Sequence, residues 1–515
     1  MVQWVAGIAA VILFLAITAV LGLIAARPWI DSALRQRMVS FLDSRFESKT
    51  ELRAMRLSWW PHLTVAGEGL AMRKTGRTDL PPLIAIQRFQ AEASLLGLLR
   101  SHVQKVLLVG LQIHMPPRQS GDNNQGVKAG KSSKASHDIV VDEIDADGAL
   151  LQILPKQAGK APLEFDLRKL QIHSASATQP MSFEAALTNP KPPGLIQTEG
   201  KFGPWQKDDP GATPISGRYT FEHADLSIFH GIAGILSSEG QYQGALNHIE
   251  VNGTTDTPDF SVRVSGNPVH LKTQFHSIVD GTDGNTWLQP VVAEFLNSKI
   301  TARGGVVGTK GVKGRTVMLD VDVEQARLED LLRLAVKSAE PPMTGDVKLR
   351  TKLKLPPGKE GVPDKLFLDG RISVKSGQFT KFSVQEKVDA LSRHASGHPN
   401  SEPDRVVSDL AARFVLSNGV LAFSSLTFAV PGAQVALHGT YGLYDEKFDL
   451  HGQLRLQAKL SETTSGWKSF LLKLTDPFFE KRGVGAVVPI AIGGTRTHPS
   501  FKLEIGGSSA KQTTK

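Results

Sequence analysis

Cysteine is absent from this chain of 515 residues, and tyrosine occurs only four times. The lack of cysteine excludes disulfides, thiol catalysis, iron–sulfur clusters and cysteine-ligated zinc. The sequence also has no Gly-x-Ser-x-Gly nucleophile elbow and no His-Glu-x-x-His zinc motif. We therefore expect no catalytic site, no metal and no cofactor, and interpret the chain as a binding protein rather than an enzyme.

Long runs of one charge sign are also scarce. The 59 basic and 50 acidic residues are interleaved over most of the chain and give a net charge of +9. No recognised nucleic-acid motif accompanies this excess, so solubility or attraction to an anionic membrane surface explains it better than nucleic-acid binding. The 48 glycines among short apolar runs indicate a turn-rich, mainly β protein with helices (α+β).

Charge is missing altogether from residues 2–26. A helix of this length spans about 37 Å, which exceeds the roughly 30 Å hydrocarbon core of a bilayer. A cleaved signal peptide would have a basic start and a shorter apolar region, so we expect an uncleaved single-pass anchor over residues 1–26. Arg27, Arg35, Arg37 and Arg45 follow this segment, and the positive-inside rule taken literally keeps the body in the cytoplasm.

Composition divides the remainder of the chain. We expect a membrane-proximal helix and first strands over 27–115, a disordered polar linker over 116–138, and a flexible tail over 506–515. Two β modules are expected between them, at 139–265 and 266–505. The candidate helices of the body are Asp225–Leu236, Thr286–Asn297, Gln325–Lys337, Ser383–His394 and Gly466–Phe479.

Two segments alternate apolar and polar residues, the pattern of a strand with one apolar face. They are 448–460 and 347–355, and five large apolar side chains in the first represent about 8–15 kcal/mol of burial. A helix, a second sheet or an apolar ligand must cover such a face, and the expected helix at 466–479 is the main competitor to a ligand. The candidate lining residues are Phe448, Leu450, Leu454, Leu456 and Leu460, with Leu349, Leu353 and Leu355.

A short segment recurs 241 residues later. Ile249–Val262 reads IEVNGTTDTPDFSV, and Ile490–Leu503 reads IAIGGTRTHPSFKL. Both predict a strand, a glycine turn and a second strand that begins at proline. Two related β modules in tandem would explain the match, and chance convergence on a common strand–turn–strand pattern is the alternative.

The chain resembles the AsmA-like family of membrane-anchored envelope proteins, whose relatives include TamB-like and YhdP-like proteins. The resemblance is carried by the anchor, by 57–65 (LSWWPHLTV), by Gly439-Thr440 through Leu460, and by Val488-Pro489-Ile490 through Phe501. It implies an elongated, twisted antiparallel β-sheet curled into an apolar groove. It also implies an inner-membrane anchor with the body in the periplasm.

Three functions are left open at this point. The resemblance implies a role in outer-membrane biogenesis, in which the apolar groove binds or moves phospholipid by its acyl chains, with membrane lipids and an envelope protein as partners. A non-transport scaffold that assists outer-membrane protein assembly is the alternative, with the apolar rows covered by the protein's own helices. An extracytoplasmic hydrolase with a dispersed site is the third, and it would require a pocket with convergent polar groups.

Overall fold

A computed structural model describes most of the chain between residues 48 and 503. The described ranges are 48–58, 63–74, 81–94, 102–115, 140–153, 163–176, 178–204, 209–229, 231–309, 314–338, 340–396, 405–457, 486–496 and 498–503, with a few single residues, five of them helical between 35 and 43. The expected anchor at 1–26, the linker at 116–138, Leu460, the helix at 466–479 and the tail at 506–515 lie outside them. No helix in the described part is long and apolar enough to cross a membrane.

The described residues are mainly β, as the sequence predicts. Consecutive strands pair side by side from β1 to β9 and from β14 to β24, whereas β11 pairs with β9 and β10 with β12. These described pairings are antiparallel except that of β4 with β5, which is parallel. The strands are β1 (Ser48–Ser58), β2 (Leu63–Lys74), β3 (Ile84–Ala93), β4 (His102–Met115), β5 (Val140–Ile153), β6 (Leu163–Ala175), β7 (Met181–Pro190), β8 (Pro193–Phe202), β9 (Pro214–Asp225), β10 (Ile232–Ala233), β11 (Ile235–Ala245), β12 (His248–Val262), β13 (Val269–Val279), β14 (Thr286–Phe295), β15 (Ser298–Gly308), β16 (Arg315–Arg327), β17 (Met343–Leu355), β18 (Phe367–Phe379), β19 (Ser408–Ser417), β20 (Val420–Val430), β21 (Ala433–Gly442), β22 (Phe448–Leu456), β23 (Ala486–Gly494) and β24 (Pro499–Leu503).

The chain divides into two compact units, the first over 1–228, 235–255 and 278–284 and the second over 229–234, 256–277 and 285–515. In each unit the sheet stays open and uncurled, because pairing runs from one strand to the next and no described pairing returns from the last strand to the first. The expected curl into a groove is therefore wrong for the described residues. A face of the sheet that is not enclosed by strands must be covered in another way.

The first unit has a buried core and a line of phase changes across its strands. Ile84 and Ile86 of β3 point inward, but the next inward residue is Phe89, so the alternation changes phase at Gln87. The same change occurs at Gly69 of β2, at Gly110 of β4 and at Gly148 of β5, three glycines with φ between 62° and 69°. The register is the same on both sides of these positions, so the neighbouring strands change phase together and keep one common apolar face.

The described residues of the second unit contain three helices: α1 (Leu328–Ala335), α2 (Val362–Lys365) and α3 (Phe382–Ala395). The helices expected at 325–337 and 383–394 are confirmed as α1 and α3. The helix expected at 286–297 is wrong, since this segment is β14, where Pro290 would break a helix and Val291 and Val292 favour a strand. The helix expected at 225–236 is also wrong, because Gly231 and Gly234 have φ of 100° and 134° and end it after a short 3₁₀ turn.

The recurring segment folds differently in its two positions. At Ile490–Leu503 the chain makes the expected turn, with Gly494 at φ 83° between β23 and β24. At Ile249–Val262 it continues without a turn as β12, and Gly253 is not among the glycines in the left-handed region. The expected turn at 253 is therefore wrong.

Tyrosine and glycine face each other on β9 and β11. Tyr242 is directly opposite Gly217, and Tyr219 is opposite Gly240. A Cβ at Gly217 would lie 2.5 Å from Tyr242 Oη, so each ring occupies the space that a side chain on the facing strand would fill. The two hydroxyls also form hydrogen bonds, Tyr242 with Thr198 Oγ1 at 2.7 Å and Tyr219 with Ser238 Oγ at 3.1 Å. Glycine thus gives room for aromatic packing at no steric cost.

We expect Gly148→Ala to lower the free energy of unfolding by about 1–2 kcal/mol, the cost of a left-handed backbone for a residue with a Cβ. No atom lies within 4 Å of the Cβ position, so backbone strain is the only penalty. Gly148→Asn is the matched control, since asparagine tolerates this conformation. Denaturant unfolding of both variants measures the difference, and equal losses for Ala and Asn would contradict the assignment.

The ordinary pKa of a tyrosine side chain is about 10, and the four tyrosines of this chain should titrate above it. Burial raises the pKa of Tyr219, Tyr242 and Tyr441, and the hydrogen bond to Asp364 raises the pKa of Tyr444. Because each folded pKa lies above the unfolded one, their contribution to stability is complete below about pH 10 and is lost as pH rises through the folded values. Phenolate absorbance of native and denatured protein measures both titrations, and a shared midpoint would refute the expectation.

Candidate functional site

The alternating strands of the second unit bring their apolar side chains to one face of the sheet. Residues that are directly opposite one another on paired strands lie on the same face. One such row crosses seven strands, and its members are Leu319, Leu353, Leu368, Leu416, Leu421, Tyr441 and Phe448. We call the side of the sheet that carries this row the apolar face.

A second row runs parallel to the first, nearer to α1 and α3. It crosses β16 to β23, and its members are Val323, Leu349, Ile372, Ala412, Leu426, Leu437, Gly452 and Ile490. The two rows contain three of the eight residues predicted from the sequence, Leu349, Leu353 and Phe448. The register therefore joins the two alternating segments, 347–355 and 448–456, into a single surface, although four strands lie between them.

Helix α3 covers one end of the apolar face. Leu454 and Leu456 are less than 10% exposed and share a hydrophobic cluster with Ala395, Val388 and Leu391 of α3. Leu349 packs against a second cluster, in which α1 contributes Leu328, Leu331 and Leu332 beside Val323 and Val347 of the sheet. For these three predicted lining residues the cover is the protein's own helices.

The other end of the face is more open, and we call it the open end. Leu353, Leu355 and Phe448 are half-buried there and belong to neither helix-covered cluster, whereas Leu450 is 5% exposed. The rings of Tyr441 and Phe448 lie 4.8 Å apart between centroids. The half-buried side chains of the open end are Val317, Leu319, Leu353, Leu355, Leu368, Leu421, Phe423, Tyr441 and Phe448.

Most strands of this face were not picked out from the sequence. In β20, Leu421 and Phe423 are followed by Leu426 and Phe428, so the period-two pattern breaks where β20 has a bulge opposite β21. In β18, the alternation of Leu368, Gly370 and Ile372 is weakened by the glycine. The apolar signal was present in both strands, but only as short fragments whose common face becomes evident from the register.

A buried polar network fixes α3 on the sheet. The Gln385 side chain is 2% exposed, and its Oε1 accepts a hydrogen bond from the Phe379 backbone N–H at 2.8 Å. Its Nε2 donates to Asp389 Oδ1 at 2.7 Å and to the Val406 carbonyl at 2.9 Å. Asp389 Oδ1 also accepts the Val406 N–H at 3.0 Å. The network joins α3 to the end of β18 and to the segment that precedes β19.

A similar network holds α1. Asp330 is 4% exposed, and its Oδ2 accepts hydrogen bonds from the Asn297 N–H at 2.9 Å and from Ser298 Oγ at 2.8 Å. Ser298 Oγ in turn accepts the Arg327 N–H at 2.9 Å, one residue before the helix begins. Both helices are therefore fastened by buried polar contacts in addition to their apolar sides, so the covered end of the face is firmly closed.

Within the described residues, no group of three or more His, Asp or Glu side chains is placed to hold a metal ion. His270 Nε2 lies 2.6 Å from Asp256 Oδ1, an exposed ion pair on neighbouring surface positions. What this part of the chain can do chemically is to bind an apolar group along the open end, with a fixed helical cover beside it.

We expect Gln385→Leu to loosen α3, because it leaves the Phe379 N–H and the Val406 carbonyl without their partner. Each unpaired buried group costs about 1–3 kcal/mol, so the free energy of unfolding should fall accordingly. Exposure of Leu454 and Leu456 should also raise the fluorescence of an apolar dye. Glu386→Leu, at the next and exposed position of the helix, is the control. Identical behaviour of the two variants would show that the network does not hold the helix.

The open end, the covered end and the polar networks are all observed in this chain itself. In comparisons with protein-family models, with curated proteins and with solved structures, the chain matches none.

Proposed function

We propose that this is an AsmA-like envelope protein that binds phospholipid acyl chains on the open end of its apolar face. The observation that carries the proposal is the continuous row of leucine and aromatic side chains across seven neighbouring strands, all of them half-buried except the buried Leu416. A contiguous apolar surface that the protein covers only in part is typical of a binding site. The acyl chains would lie along the strands, beside the cover formed by α1 and α3.

The energetic basis is the transfer of lipid tails out of water. Each CH₂ group that leaves water for an apolar surface contributes about 0.8 kcal/mol, so a few methylenes per leucine suffice for binding without covalent chemistry. The charge-free segment at 2–26 supports a site close to lipid, as a single-pass inner-membrane anchor with the body in the periplasm. An envelope protein partner would receive or supply the lipid.

A scaffold without lipid transport is the second candidate, and one observation favours it. The clusters formed by α1 and α3 cover Leu349, Leu454 and Leu456, so part of the apolar face serves the fold itself. In this alternative the open end is covered by a protein that the scaffold helps to assemble in the outer membrane. Nothing in the described residues favours the hydrolase.

A photocrosslinking residue at Leu353 in the cell-expressed, membrane-bound protein distinguishes the candidates. If the open end binds acyl chains, we expect a lipid adduct by mass spectrometry from position 353. Lys354, its exposed neighbour on the opposite face, is the matched control and should give none. Position 454 tests the helical cover, and its adduct should be weak because α3 already occupies that space.

Two results would refute the lipid proposal. One is a protein adduct at position 353 with no lipid, which is the outcome expected for a scaffold. The other is an equal lipid yield at positions 354 and 353, which would show only that the membrane is near. A shift of the adduct from 353 to 454 in Gln385→Leu would independently locate the lipid on the apolar face.

A further inference from the structure

The opposite side of the same sheet holds a cavity of about 1210 Å³. Its lining residues come from β15 to β20. The charged residues among them alternate with those of the apolar face, so that Lys352 lines the cavity while Leu353 points the other way. We call this side the charged face. Ten charged side chains line the cavity, six of them basic and four acidic.

Three arginines stand side by side in this cavity. Arg350 of β17 is directly opposite Arg371 of β18, and Arg371 is directly opposite Arg413 of β19. Like charges at directly opposed positions of a sheet destabilise it, because their Cβ atoms are only about 5 Å apart. Three adjacent arginines are unfavourable for folding, and a bound anion would offset their mutual repulsion.

The acidic residues of the cavity neutralise only one of the three. Arg350 Nε lies 2.9 Å from Asp322 Oδ2, and a second nitrogen contacts Glu324, which raises the pKa of the arginine. Arg371 and Arg413 form no ion pair with any carboxylate of the described residues, although both are exposed. Their forked guanidinium groups are free to bind an anion, and this geometry suits the oxygens of a phosphate.

The cavity also offers an acceptor that lacks a donor. Asp322 Oδ1 is buried and forms no hydrogen bond within the described part of the chain, whereas Oδ2 binds Arg350. A buried acceptor of this kind is costly unless a donor reaches it. A ligand hydroxyl that reached this oxygen would supply the missing donor at the β16 end of the arginine row.

We propose that the cavity on the charged face binds a phosphate ester that carries hydroxyl groups, such as a glycerol phosphate. A free phosphate ester and a phospholipid headgroup both have this chemistry. A long polyanion fits less well, because Asp320, Asp369 and Glu324 in the same cavity would repel its other phosphates. The site is independent of the acyl-chain proposal, since the charged side chains that define it lie on the opposite side of the sheet.

Calorimetric titration of the full-length protein tests the proposal. The probes are glycerol 1-phosphate for the free ester and a short-chain phosphatidylglycerol, kept below its micelle concentration, for the headgroup. The variant R371Q/R413Q should weaken binding at least about tenfold, since each lost contact is a charge-assisted hydrogen bond. The control K354Q/R455Q removes two exposed charges outside the cavity and should change binding less than about twofold.

The two probes distinguish a free phosphate ester from a phospholipid headgroup as the ligand. Binding of both with a similar loss in R371Q/R413Q assigns the phosphate itself, and binding of the lipid alone assigns a headgroup. Equal weakening by the two double variants would overturn the site and leave only a general electrostatic attraction. Absence of binding by either probe would overturn it as well.

A second measurement distinguishes a loss of binding from a loss of folding. Without ligand, R371Q should raise Tm rather than lower it, because the substitution removes the repulsion from Arg350 and Arg413. Arg371→Lys keeps the charge and loses the fork, so its affinity should lie between those of the native protein and R371Q. A lower Tm for R371Q would show that the arginine is structural, and the proposal would fail.

Discussion

The main-chain hydrogen bonds between neighbouring strands fix a register, and the surfaces of this protein depend on it. Because side chains alternate with a period of two, a slip of one residue would move every leucine of a strand to the opposite face. Leu353 lies between Leu319 and Leu368 only in the observed pairing. The continuous apolar row therefore belongs to the register of seven strands and cannot be assigned to any single strand.

Local irregularities of the strands also shape these surfaces. In the first unit they form a line through Gly69, Gly110 and Gly148, where the inward alternation changes phase without a shift of register. In the second unit, bulges in β16, β17 and β18 lie where α1 begins and where α3 follows. The chain leaves the sheet at these points, so the helices that cover the apolar face are placed by the irregularities of the strands.

The sequence predicted those elements whose pattern is long and unbroken. The strand at 347–355 appears within β17, and β22 covers 448–456 of the predicted 448–460. The helix α1 was predictable because its leucines recur at helical spacing.

The segment 225–236 could not be assigned correctly from apolar content alone, since the left-handed backbone at Gly231 and Gly234 decides its structure. The recurring segment shows the same limit, because similar residues make a turn at 494 and a straight strand at 253. What covers each leucine depends on contacts distant in the chain, as between Leu454 and α3.

Strand β17 shows why the two proposed sites are separable. Its odd-numbered residues Leu349, Leu353 and Leu355 belong to the apolar face, while the even-numbered Lys348, Arg350, Lys352 and Lys354 belong to the charged face. A substitution on one face leaves the side chains of the other in place, because the strand is held by its backbone. An amphiphile could use only one side of such a sheet at a time, since the strands separate its tail site from its phosphate site. The two sites would therefore bind different molecules, or different parts of one lipid in succession, and loss of one should leave the other intact.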